Sequence, residues 1–284
     1  MKLYQSYLGE SELKLLSPLV IPCNIENNTS NSTREYELFK RIALENANEP
    51  WGLISKKFSH KSLLSVKDFY QFAEKELNEG FDCVFVNPMI GNEALYANVW
   101  EQGVHCGHIG LDKIILFLEN SLELSFHAPM SRHTFAFSNY FIAKPVFWDG
   151  YFSFIDNALR LLNQEVLNGS EVGKIYAGTG SYNRNRSVTM KPFVVERLFS
   201  TFIQSHNFKV ASFIHERRHY IKKFGDKFGE FLFQLSALKN IQLNLADKDL
   251  SSYYQARSFL YLNAAYMISV WNLDDPPDFY LTRL

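Results

Sequence analysis

The chain has 284 residues, about twice a common domain size, with 46% hydrophobic and 21% charged residues. That balance excludes a disordered chain, and a formal net charge of −1 excludes a globally basic surface for nucleic acid. Aromatic residues make up 15%, with 25 Phe, 15 Tyr and 4 Trp, enough for a large core and for the lining of a pocket.

The alternating MKLYQSYL (1–8) predicts a first strand, and LSPLVIPCNI (16–25) a second apolar run broken by Pro18 and Pro22. A polar loop, ENNTSNST, leads into a helix that begins near Ser32 or Thr33 and carries the stripe Tyr36, Leu38, Phe39, Ile42, Ala43. PWGLISKKF (50–58) reads as a short strand. SVKDFYQFAEKELNEG (65–80) reads as a helix capped by Ser65 and closed by Gly80. FDCVFVNP (81–88) is a buried strand ended by Asn-Pro. The stretch Asn87 to Gly110 reads as a loop rich in polar, aromatic and Gly residues. LDKIILFLEN (111–120) predicts a helix, FAFSNYFIAKP (135–145) a strand, and residues 146–169 a long amphipathic helix. GKIYAGTGSYNRNRSV (173–188) reads as a Gly-, Ser- and Asn-rich loop, while PFVVERLFSTFIQSH (192–206) and residues 251–273 read as helices.

Helices alternating with strands predict an α/β fold with a mixed, mostly parallel sheet. One core over 1–205 is expected, with a mainly helical extension over 206–284 packed on it. Three cysteines without CxxC spacing, no apolar leader and no long apolar run lead to the expectation of a cytoplasmic protein.

Ligands of open α/β sheets bind beyond the carboxyl ends of the strands, which directs attention to Asn87–Gly110. It offers Asn87, Trp100 and the acid–base candidates Glu93, Glu101, His105 and His108, or else it is an ordinary surface loop. His105, Cys106 and His108 lack a second ligand pair, so no metal is expected. In SNYFIAKPVFW (138–148), Asn139 suits a ligand hydroxyl and Lys144 a phosphate, or the segment is a turn with core aromatics. Arg184 and Arg186 near glycines suit a diphosphate or a solvated loop. The basic run His215–Lys223 fits a solvated helix face, an anionic acceptor or a membrane surface. Asp247 and Asp249 spell DxD, though before a predicted helix they read as helix-start residues. No G-x-S-x-G elbow occurs.

Five strings together resemble a family found in bacterial surface-polysaccharide loci, often as a module of large glycosyltransferase proteins. They are WGLISKKFSHKSLLSVKDF (51–69), GFDCVFVNP (80–88), NVWEQGVHCGH (98–108), SNYFIAKPVFW (138–148) and ERLFSTF (196–202). The sequence departs from that pattern at Ser62, Met89, Val99 and Cys106. The resemblance spans about residues 34–205 and implies a nucleotide-sugar-transferase-like domain. It implies transfer from a nucleotide-sugar donor to a lipopolysaccharide, O-antigen or capsule acceptor, a glycan or glycolipid. The same pathway would also accommodate a non-catalytic carbohydrate- or protein-binding module, or a hydrolase with paired carboxylates. Under the transferase reading Glu101 or His105 is the base. Asn87, Trp100, Asn139 and Tyr140 bind the sugar. Lys57, Lys144, Arg184, Arg186 and Arg197 meet phosphate, without a divalent metal, and the protein works in the cytoplasm or at the inner-membrane face. Trp51, Tyr96 and Trp148 are further stacking candidates beside these loops.

Overall fold

The computed structural model describes residues 1–25, 33, 35–180, 188–245 and 249–259. Six strands form one mixed sheet in the order β2-β1-β3-β5-β4-β6. These are β1 (Lys2–Tyr7), β2 (Ile21–Asn24), β3 (Trp51–Ser55), β4 (Cys83–Val86), β5 (Phe141–Ala143) and β6 (Val210–Phe213). Every pairing is parallel except the two made by β5, which runs antiparallel between β3 and β4. The α/β architecture with a mostly parallel sheet agrees with the sequence pattern.

Side-chain alternation along the strands gives the sheet two apolar faces. Trp51, Leu53, Cys83, Phe85 and Phe141 join the larger core cluster. Ile54, Val84, Val86 and Ile142 point the other way, into a second cluster. The larger side packs helices α2 (Glu35–Ala43), α8 (Pro145–Leu167) and α10 (Lys191–Ser205); the smaller packs α3 (Phe58–Ser62) and α4 (Val66–Asn78). The connections β2 to β3 and β3 to β4 thus step the same way along the sheet but cross on opposite faces, so they have opposite hands. One of them departs from the right-handed rule for parallel crossovers.

Helix starts follow local chemistry. The Ser65 hydroxyl accepts the Asp68 amide at the start of α4, and Pro145 opens α8 with its φ preset for a helix. The predicted loop at Asn87–Gly110 is corrected: it contains α5 (Asn92–Leu95) and α6 (Val99–His105) and is largely buried. Asn98 is the reason for α6, since its Oδ1 accepts the amides of Trp100 and Glu101 at 2.9 and 2.8 Å. Helix α7 (Leu111–Leu122) follows, and α9 (Glu171–Ala177) occupies the start of the second predicted loop. The segment from residue 206 opens with β6, an edge strand of the same sheet. It then forms α11 (Arg217–Phe224), α12 (Asp226–Leu243) and a helical stretch at 251–259. Among the described residues no helix is long and apolar enough to cross a membrane.

Candidate functional site

A cavity of about 230 Å³ opens at the carboxyl edge of the parallel strands. Its floor comes from Ser6 of β1, Leu53–Ser55 of β3 and Tyr140 at the entrance to β5. The chain leaves β3 toward α3 on one face of the sheet and leaves β4 toward α5 and α6 on the other. Such a divergence opens a crevice in an open α/β sheet.

The turn Ser138–Asn139 forms one wall. Both residues have left-handed backbones, φ 62° and 49°, a conformation that costs energy in a non-glycine residue. The surroundings hold it there. The Ser138 amide donates to Glu196 Oε1 at 2.6 Å, and Lys61 Nζ donates to Ser138 Oγ at 3.3 Å. Asn139 is buried, and its Oδ1 has no hydrogen-bond partner. Beside it the Tyr140 hydroxyl bonds Ser55 Oγ. Burial raises the Tyr140 phenol well above its ordinary pKa, and the charges of Glu35 and Glu196 push it further the same way. It therefore stays protonated and available as a donor.

The polar residues of ERLFSTF fasten the opposite wall. Arg197 is buried, and its guanidinium donates to Val99 O, Phe193 O and Gln102 Oε1 at 2.9, 2.9 and 2.7 Å. Ser200 exchanges hydrogen bonds with the Ala136 backbone, and Thr201 Oγ1 accepts from Trp100 Nε1 at 2.8 Å. Among the described residues, Glu196 and Glu35 are the carboxylates lining the cavity, with Gln102 and His108 also on its wall.

Of the residues expected at a site, Asn139, Tyr140, Arg197 and the acid–base candidate His108 meet here. Others lie apart from this cavity or outside the described residues. Glu101 and His105 lie elsewhere on α6: Glu101 accepts from Arg257 and from the Ala97 amide, and His105 is exposed 4.0 Å from Glu101. Trp100 has 0% exposure, so its ring has no face for a ligand. Trp51 and Trp148 stack on each other at 3.9 Å, and Tyr96 is buried. Asn87 turns back to Met89 and Glu93. Lys57 is an exposed residue at the start of α3, outside the cavity wall. Lys144 sits 3.9 Å from Asp82, at the amino edge of β3 and β4, because β5 runs backward. Arg184 and Arg186 lie outside the described residues, as does Asp247. Asp249 accepts the Ser251 amide and hydroxyl, a helix-start role.

Lys61, Ser138, Glu35 and Glu196 were missed as site residues. Their signal was present for three of them: Lys61, Ser138 and Glu196 stand inside the quoted strings. The basic run His215–Lys223 divides between surface and interior: Arg217 and Arg218 bond Glu230 and Glu216, whereas His215 is buried against Ser62 O at 2.8 Å. Among the described residues no group of three or more His, Cys, Asp or Glu side chains could hold a metal ion. No family model, no curated protein and no solved structure matches the chain.

Proposed function

We propose that the protein is a glycosyltransferase-like enzyme of bacterial surface-polysaccharide assembly, binding one sugar unit of a nucleotide-sugar donor in this cavity. The observation that carries the reading is convergence. Four of the five strings that resemble the polysaccharide family supply wall residues: Leu53–Ser55 and Lys61, Gln102 and His108, Ser138–Tyr140, and Glu196–Arg197. Met89, which follows the fifth, completes the rim. The volume is below the roughly 300–1,000 Å³ of sites for drug-sized ligands, so a single sugar fits better than an entire nucleotide sugar.

The chemistry follows from the groups present. Asn139, Tyr140 and Ser55 suit sugar hydroxyls. Glu196, held by the Ser138 amide, takes the role first given to Glu101. It accepts the proton of an acceptor hydroxyl as that oxygen bonds the anomeric carbon, and the carbon–oxygen bond to the nucleoside diphosphate breaks. The acceptor would be a glycan or glycolipid, reached from the cytoplasm or the inner-membrane face.

A thermal-shift panel of UDP-, GDP-, CMP- and dTDP-sugars tests the reading; stabilisation by one class is expected, and no shift with any would overturn it. With the responding donor, Glu196→Gln is expected to lower turnover about 10²–10⁴-fold at near-constant donor affinity. Unchanged turnover removes Glu196 as base, and no transfer by the wild-type protein favours a non-catalytic binding module. A second reading draws on Glu35 and Glu196 lining one cavity: glycan hydrolysis by paired carboxylates. It predicts release of reducing ends from a polysaccharide without any donor.

A further inference from the structure

Among the described residues, Lys61 on the cavity wall and Lys223 beside its rim form no ion pair with a carboxylate. Lys61, on α3, lines the cavity and reaches Ser138 Oγ at 3.3 Å. Lys223, at the end of α11, reaches Pro88 O at 3.3 Å, and the next residue, Met89, lines the same cavity. The two ammonium groups therefore approach the rim from α3 and α11, beside the ends of β4 and β5. Two of the nearby carboxylates accept hydrogen bonds from other groups. Glu196 Oε1 is taken by the Ser138 amide, and Glu93 is bonded by the Tyr220 hydroxyl and by Asn87 Nδ2.

Electrostatics agree with the geometry. Burial lowers the Lys223 ammonium to about 8; Glu93 opposes that shift, and the charge of Lys61 adds to it. Burial also raises the Glu93 carboxyl, which weakens it as a counter-charge. Two half-buried cations that repel each other are relieved by an anion placed between them. Lysine is a point-charge binder of phosphate, and the carboxyl edge of the sheet is where such ligands sit. Next to this rim the partnerless Oδ1 of Asn139 offers an acceptor for a neighbouring hydroxyl. A phosphate joined to a sugar would satisfy both.

We propose that Lys61 and Lys223 form a subsite for a phosphate or diphosphate group at the rim of the cavity. The assignment deepens the sugar-transfer reading and rests on it only for what the diphosphate is attached to. A nucleoside diphosphate and a lipid-linked diphosphate share this chemistry.

Calorimetric titration of the full chain with pyrophosphate tests it. Saturable binding is expected, weakened about tenfold or more by Lys61→Met and by Lys223→Met, the worth of one charge-assisted hydrogen bond. Lys57→Met and Lys144→Met are expected to leave it unchanged. Should Lys223→Met fail to fold, Lys61→Met and Lys223→Arg decide, with the arginine variant retaining affinity. Absence of saturable binding, or binding undiminished in a folded Lys61→Met protein, overturns the subsite. Titration with UDP and with a short-chain polyprenyl diphosphate identifies the source, since the true one binds more tightly than pyrophosphate. Sugar transfer without pyrophosphate binding would overturn the subsite alone. Pyrophosphate binding without any response to sugar donors would overturn the transferase reading alone.

Discussion

Gly103 lets two parts of the cavity wall touch. A Cβ at this position would stand 2.5 Å from Leu111 Cδ2 and 2.7 Å from Arg197 Nε, both of them held in the packed interior. Gly103→Ala is therefore expected to cost about 1–3 kcal/mol by overpacking, read as a lower urea midpoint at constant slope. The same crowding explains why Arg197 is a fixed group: its donors are spent on Val99, Phe193 and Gln102. It shapes the wall and carries positive charge there, in a way the string ERLFSTF alone did not disclose. Glu101 and Glu196 separate the roles of two carboxylates that look alike in sequence. Glu101→Gln removes the charge of the pair with Arg257 and leaves one carboxamide oxygen to serve both Arg257 and the Ala97 amide, so a stability loss of about 1–2 kcal/mol is expected, with ligand affinity at the cavity unchanged. Chemical denaturation beside ligand titration distinguishes the two effects.

At the scale of elements, caps and apolar stripes were readable and buried polar geometry was not. Ser65 before α4, Gly80 after it and the stripe Tyr36, Leu38, Phe39, Ile42 of α2 are local signals, and each falls where the sequence places it. Strand β6 and helix α12 gave no such signal. The first is only four residues long, and the second is apolar on several sides, which blurs its period. Helices α5 and α6 hid inside a polar stretch because their Asn, Glu and Gln side chains are buried on specific partners. Lys239 shows the same principle. From α12 its ammonium donates to the carbonyls of Glu93, Tyr96 and Ala97 at 2.8, 2.7 and 2.9 Å, closing the end of α5. Lys239→Met would leave three carbonyls without that donor, and a loss of about 3 kcal/mol or more is expected in denaturant melts. The end of α7 offers the opposite case. Exposed Glu123 terminates it with a left-handed backbone, φ 54°, so Glu123→Gly is expected to raise stability by about 0.5–1 kcal/mol in the same assay.

For the whole molecule, acid response is set in part by a buried histidine in the connection between β6 and α11. His215 is buried, and burial lowers its pKa from 6.5 to about 4. The unfolded chain binds that proton more readily than the folded one. Stability from this group is therefore complete above about pH 6.5 and is lost as pH falls toward about 4, on the order of 3 kcal/mol at full extent. His215→Gln, which can still donate to Ser62 O, is expected to flatten that part of the curve in urea melts between pH 4 and 7.5. The site was legible to a corresponding degree. Residues of four of the quoted strings converge on the cavity, and Asn139, Tyr140, Arg197 and His108 reach it. Which side of a helix faces inward was not legible: Glu101, turned to Arg257, and Gln102, turned to Arg197, are consecutive residues. The direction of β5 was not legible either, and it alone carries Lys144 to the far edge of the sheet.

That reversed strand has a mechanical consequence. Among the described residues, the parallel trio β2-β1-β3 and the parallel pair β4-β6 are joined in the sheet only through β5, whose three residues are extended on the β4 side by the bonds Val86 N to Tyr140 O and Lys144 N to Asp82 O. The sheet is two ribbons in series across one short link, whose entrance is the strained Ser138–Asn139 turn. Under tension, or during slow opening followed by hydrogen exchange, the ribbons would part at Phe141–Ala143 before either ribbon unravels. A molecule that grips the turn would tighten that link and slow exchange on both sides of it.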